Sequence, residues 1–173
     1  MKFTTAAVLL SLLAPLASAA TSAKFSLLSK STYAAYNNVH FGGVASLNGT
    51  LVGGLQPLQT LPVGGTITNG VLSFIGMDPS DDAIPAYFIH GAAGSWVALD
   101  VWASPQSGYS LSSAGNLLVN GAGAFYACST NADDSKTTVI GVFYTTAGAK
   151  VPSGCHTIQL QAVYCDDNLN NCA

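Results

Sequence analysis

The chain has 173 residues, of which 8% are charged and 49% hydrophobic, with a formal net charge of −3. Its five cations are all Lys and its eight anions all Asp, which leaves no basic footprint for nucleic acid or for anionic lipid, so neither is expected as a partner. The apolar fraction argues against a disordered chain, because it supplies enough buried surface to offset the entropy of ordering.

The chain opens on MKFTTAAVLLSLLAPLASAA, with Lys2 as a short positive region, an apolar run over 6–13, and Ala17 and Ala19 in an A-x-A pattern. This reads as a secretory signal peptide over residues 1–19, cut after Ala19. The apolar run is too short for a membrane anchor, which needs about 20 residues. Residues 20–173 then make one secreted domain, long enough to bury about 70% of its unfolded surface. The end, CDDNLNNCA, has no hydrophobic tail for a GPI signal and no prenylation box, so the mature protein is expected to be soluble or held in an outer matrix without a lipid.

Helix signals are nearly absent beyond residue 20: there is no Glu or Arg, Gly is abundant, and no 3.6-residue apolar period is sustained. Alternating runs replace them, at KFSLLS, NVHFGGVASL, TITN, VLSFIG, AYFIH, SWVALDVWA, NLLV, AFYAC, TTVIGVFYTT and HTIQLQAVY. In SWVALDVWA, Val97, Leu99 and Val101 share one face, with Trp96, Ala98, Asp100 and Trp102 on the other. In HTIQLQAVY the phase places Ile158, Leu160, Ala162 and Tyr164 inward. LQPLQTLPVGG and MDPSDDAIP, both with prolines, read as loops. Asn69-Gly70 and Asn120-Gly121 read as type I′ turns of two hairpins, since both residue types tolerate positive φ. About ten short strands with turn signals every 8–12 residues predict an all-β fold, an antiparallel sandwich or barrel.

The four cysteines, Cys128, Cys155, Cys165 and Cys172, form an even set in an exported chain and so predict two disulfides. Of three possible pairings, Cys128–Cys155 with Cys165–Cys172 is favoured, because the last two bracket a short polar turn, DDNLNN. A Cys–His nucleophile is disfavoured: export consumes the free thiol, and Cys155 and His156, as strand neighbours, point to opposite faces.

No G-x-S-x-G elbow is present, and GYSLS fails at its last position. The acidic pairs Asp81–Asp82, Asp133–Asp134 and Asp166–Asp167 fall in expected loops, where carboxylates are usually just solvated. His40, His90 and His156 are widely spaced, with no metal-ligand pattern. No catalytic residue, metal or cofactor is therefore expected. Trp96, Asp100 and Trp102 on one strand face are a candidate glycan platform of aromatic rings beside a carboxylate, with burial of the tryptophans in a two-sided core as the competing reading. Asn48, in NGT, is the lone N-glycosylation sequon.

The segments AKFSLLS, VHFGGVASLNGTLVGG, GNLLVNGAGAFYACST and GCHTIQLQAVYC, with a last Cys near the end, together resemble the PhiA-like fungal cell wall proteins. The resemblance spans most of residues 24–172, although its members carry cysteines in the N-terminal half and this chain has none before Cys128. It implies a non-enzymatic protein of the cell wall or secreted fraction, linked to phialide and conidium development and to allergen-like IgE binding. It also maps Cys128 and Cys155 onto the family's paired positions. The expected partners are cell wall polysaccharide or other wall components. A secreted carbohydrate-binding module using Trp96, Asp100 and Trp102 is the alternative, and a secreted hydrolase stands behind it.

Overall fold

The computed structural model describes residues 21–47, 50–56, 64–75, 86–100, 103–131 and 138–165. Along the chain these form β1 (Phe25–Lys30), a 3-10 turn at Ala34–Tyr36, β2 (His40–Leu47), β3 (Thr50–Gln56), β4 (Gly64–Thr68), β5 (Val71–Ile75) and β6 (Ala86–Ile89). They continue with β7 (Ala98–Asp100), β8 (Tyr109–Leu111), β9 (Leu117–Val119), β10 (Phe125–Asn131), β11 (Thr138–Tyr144) and β12 (Cys155–Tyr164). Ten strands hydrogen-bond in the order β11-β10-β12-β1-β2-β3-β7-β6-β5-β4, and further pairings β11–β3 and β1–β4 turn the sheet back on itself. The result is a nine-stranded closed antiparallel barrel with one extra strand, and β8-β9 forms a separate hairpin. Of the two architectures expected, the barrel is the one adopted. Closure removes the unpaired edges that would otherwise invite a second chain.

The alternating runs land on strands because one side of each faces a common interior. On β12, Ile158 and Leu160 are buried while Thr157 and Gln159 are exposed. Before and within β7, Val97 and Leu99 are buried while Trp96, Ala98 and Asp100 are half-buried. The interior is filled by rings: Phe88 lies 5.3 Å from Phe41, 5.5 Å from Tyr109, and 6.3 Å from both Phe74 and Phe125, centroid to centroid. Aromatic side chains at these tilted and edge-to-face separations carry most of the apolar area such a core removes from water.

Tyr164 departs from the expectation that it points into the core. It shares the inward phase, opposite the fully buried Phe25, yet it is 53% exposed. Periodicity sets the face of a side chain but not whether another packed layer lies beyond it, and Tyr164 is the last residue of β12.

The first Asn-Gly hairpin forms as expected: β4 and β5 pair through Thr68 and Val71, with Asn69 at φ 51° and Gly70 at φ 76°. At the second, Asn120 and Gly121 also take positive φ and Val119 bridges Ala122, but the strands on either side part company. β9 pairs with β8, while β10 runs between β11 and β12. The turn is local chemistry, and the partner choice belongs to the barrel. Likewise, among the described residues of SWVALDVWA the regular strand covers Ala98–Asp100, because residues before it bond elsewhere. The Val97 N–H donates to the Val142 carbonyl at 3.0 Å, and the Val97 carbonyl accepts from the Gly53 N–H at 2.8 Å.

Strand β3, TLVGGLQ, is not among the expected strands, and its Leu55 and Gln56, with Gly64 and Gly65 of β4, fall within the expected loop LQPLQTLPVGG. Gly54 is there for closure, while Gly53 makes room for the Phe41 and Val97 side chains. Gly54 stands opposite Gly141 in the β3–β11 seam, and a Cβ on Gly54 would run into the Ile140 carbonyl oxygen. Gly54→Ala is therefore expected to destabilise the protein by about 1–3 kcal/mol through overpacking of the seam, read as a lowered midpoint of thermal unfolding.

Candidate functional site

Cys128 and Cys155 are directly opposed on β10 and β12 and form a disulfide with a Cα–Cα distance of 4.4 Å. That is the spacing of a non-hydrogen-bonded antiparallel pair, about 4.5 Å, and it lies within the range a disulfide spans. The approach to Cys155 is set by a tight turn in which its N–H donates to the Pro152 carbonyl at 3.1 Å, with Gly154 at φ 80°. Neither sulfur is available as a nucleophile. No free cysteine occurs among the described residues, and Cys165 is also disulfide-bonded, while its expected partner Cys172 lies outside the described residues.

The three histidines stand on separate elements: His40 starts β2, His90 follows β6 and His156 lies on β12. Among the described residues no three His, Cys, Asp or Glu side chains converge as a metal site would require. The pairs Asp81–Asp82, Asp133–Asp134 and Asp166–Asp167 lie outside the described residues, as does Asn48.

Of the candidate glycan platform, Trp102 lies outside the described residues. Trp96 is half-buried: its ring stacks on Phe143 at 5.3 Å and its Nε1–H donates to the Gly53 carbonyl at 2.7 Å. Phe143 in turn stacks on Tyr126 at 5.2 Å. Much of the Trp96 ring thus serves as a clasp across the barrel wall, beside the glycine seam. Asp100 is half-buried at the end of β7, opposite Tyr87.

The exposed rings are elsewhere. Tyr33 and Tyr164, 43% and 53% exposed, are the two large exposed apolar side chains among the described residues. Tyr33 stacks flat on His156 at 3.8 Å, and Tyr36 meets both rings edge-on. His156 and Tyr164 lie eight residues apart on β12, which is about 27 Å of strand, so the exposed tyrosines mark opposite ends of the barrel.

At the Tyr164 end is a groove of about 360 Å³. Its floor is apolar, made by Ile67, Leu111 and the buried Tyr109; its rim is hydroxylic, made by Thr21, Ser22, Ser110 and Tyr164. The walls are pinned. The Ser22 N–H donates to the Ile67 carbonyl and the Ile67 N–H donates back to Ser22 Oγ, both at 2.9 Å, and Thr68 Oγ1 donates to Thr21 Oγ1 at 3.1 Å. The Tyr109 N–H donates to the Gly70 carbonyl at 2.9 Å, tying the β8-β9 hairpin to the β4–β5 turn. Sequence reasoning missed this groove because its residues come from four separated segments. The one available signal was Tyr164 itself, a ring in core phase immediately before Cys165 and a polar terminal stretch.

Tyr109 also links the groove to the core, since its hydroxyl donates to the Phe88 carbonyl at 2.7 Å. Burial pushes its phenol well above the ordinary value of 10.0, with nearby Tyr144 adding to the rise and the His90 backbone opposing it. Burial raises Tyr36 in the same direction. With the folded pKa above the unfolded one, the neutral phenol's stabilisation is complete below about pH 10 and is lost as pH rises above it, because only the unfolded chain can release the proton there. The thermal midpoint is expected to fall above about pH 10, and Tyr109→Phe to flatten that fall; an unchanged alkaline limb would contradict it.

No family model matches the chain, and no match was found among curated proteins or solved structures.

Proposed function

We propose that this is a secreted, non-enzymatic structural protein of the fungal cell wall or extracellular matrix, as its resemblance to the PhiA-like proteins implies, with a link to conidium development. The observation that carries the reading is the closed, ring-filled barrel stapled by Cys128–Cys155. A barrel with its interior occupied by its own side chains has no lumen for a substrate, and its low charge leaves hydroxyl and aromatic chemistry at the surface for contact with neutral wall components. The disulfide is consistent with an oxidising compartment. Fractionation of fungal walls and medium tests this: the protein is expected in one of those two fractions with Ala20 as its first residue, and retention inside the cell with residues 1–19 attached would overturn it.

The carbohydrate-binding module built on Trp96, Asp100 and Trp102 is the second reading. Its basis is the shared strand face of Trp96, Asp100 and Trp102 in the sequence, and its test is polysaccharide pull-down with the Trp102→Ala variant.

A further inference from the structure

We infer that the groove lined by Tyr164, at the end of β12, is a binding site for a neutral glycan. This rests on the wall-protein reading and names the surface that would touch polysaccharide. Four observations converge on it.

First, Tyr164 is exposed despite its core phase. A ring exposed at the end of a strand presents a flat apolar face to an incoming ligand, and a pyranose offers a matching face of C–H groups. Second, the floor and the rim divide the work a sugar needs. Ile67, Leu111 and Tyr109 take the apolar face, while hydroxyls on the rim donate to and accept from the sugar's own hydroxyls. Among the described residues neither Ser110 nor Tyr164 makes a side-chain hydrogen bond, so both hydroxyls are free to turn toward a ligand.

Third, the described lining carries no charged side chain. The described lining thus offers apolar and hydroxylic contacts, the two kinds an uncharged sugar uses. Fourth, the groove is open to solvent, about 360 Å³, and the hydrogen bonds from Ser22 to Ile67 and from Tyr109 to Gly70 hold its walls in place before any ligand arrives. A preformed site loses little entropy on binding.

The test uses the secreted chain purified from medium, titrated calorimetrically with laminarin and with chitin hexamer, which separates the two sources of neutral sugar, and with polygalacturonate as the charged control. At least one neutral glycan is expected to bind and polygalacturonate not to. Tyr164→Ala is expected to weaken that binding by about tenfold or more, with Tyr164→Trp restoring it and Ser110→Ala giving a smaller loss. Tyr164 is exposed and its replacement leaves the core intact, and an unchanged thermal midpoint verifies that. Binding unaffected by Tyr164→Ala, or lost equally in Tyr164→Ala and Tyr164→Trp, would overturn the groove, as would binding to neither neutral glycan. Recovery of the protein in the wall fraction alongside any of those results would leave the wall-protein reading standing and remove only this site.

Discussion

Phe88→Ala is expected to destabilise the protein by about 3–5 kcal/mol, a large share of the 5–15 kcal/mol that holds a domain of this size together. Phe88 is fully buried on β6 and is the ring on which the others converge, touching Phe41 and Phe74 on one side and Tyr109 and Phe125 on the other. Truncation removes the transfer energy of the ring and leaves a cavity. Strands of a closed barrel move inward only together, so little of that cavity can collapse. The thermal midpoint should fall by roughly 6–20 °C, while Lys150→Ala, at an exposed position, should stay within about 0.5 kcal/mol of the parent. The measurement also bears on function. A loss below about 1 kcal/mol would mean that the interior around Phe88 is loosely packed, which would leave room there for a ligand.

The residues that build this core were legible in advance to different degrees. Ile158 and Leu160 follow from the alternation of β12, and Val97 and Leu99 from that of SWVALDVWA, because a two-residue period reports which side of a strand is wet. Asn69-Gly70 was equally legible, since positive φ at two adjacent positions is chemistry that the dipeptide carries itself. What could not be read is which strands meet. Asn120-Gly121 makes its turn and yet β9 and β10 take different partners, and the β3–β11 and β1–β4 closures join segments far apart in the chain. Glycine misled for a related reason: in TLVGGLQ it reads as a break, whereas Gly54 is required by the approach of Ile140, a contact visible only once the barrel closes. The same non-locality hid the groove. Thr21, Ile67, Ser110 and Tyr164 have no common motif, and they become a site through closure alone.

The second large effect concerns the staple. Replacing both Cys128 and Cys155 by Ala is expected to cost about 3–4 kcal/mol, since the bond closes a loop with a sequence separation of 27 and so restricts the unfolded chain. The register makes the native state an undemanding host: the two residues are opposed on neighbouring strands at the spacing the backbone already imposes, so removing the bond should leave the folded structure in place. The loss should then appear almost wholly as a more disordered unfolded state. Two outcomes follow. The double variant should keep the strand content of the parent while its unfolding midpoint drops. Cys128→Ala alone should fare worse than the double variant in air, because it leaves Cys155 as a thiol free to pair with other molecules. The loop held by the bond contains all of β11, the strand that meets β3 to close the barrel through Gly141 and Gly54. If the staple's main effect were instead to hold β11 against β3 in the native state, hydrogen exchange at Val142 would quicken in the double variant more than at Leu27 on β1. Equal quickening at the two positions, tracking the global loss of stability, is the expected result.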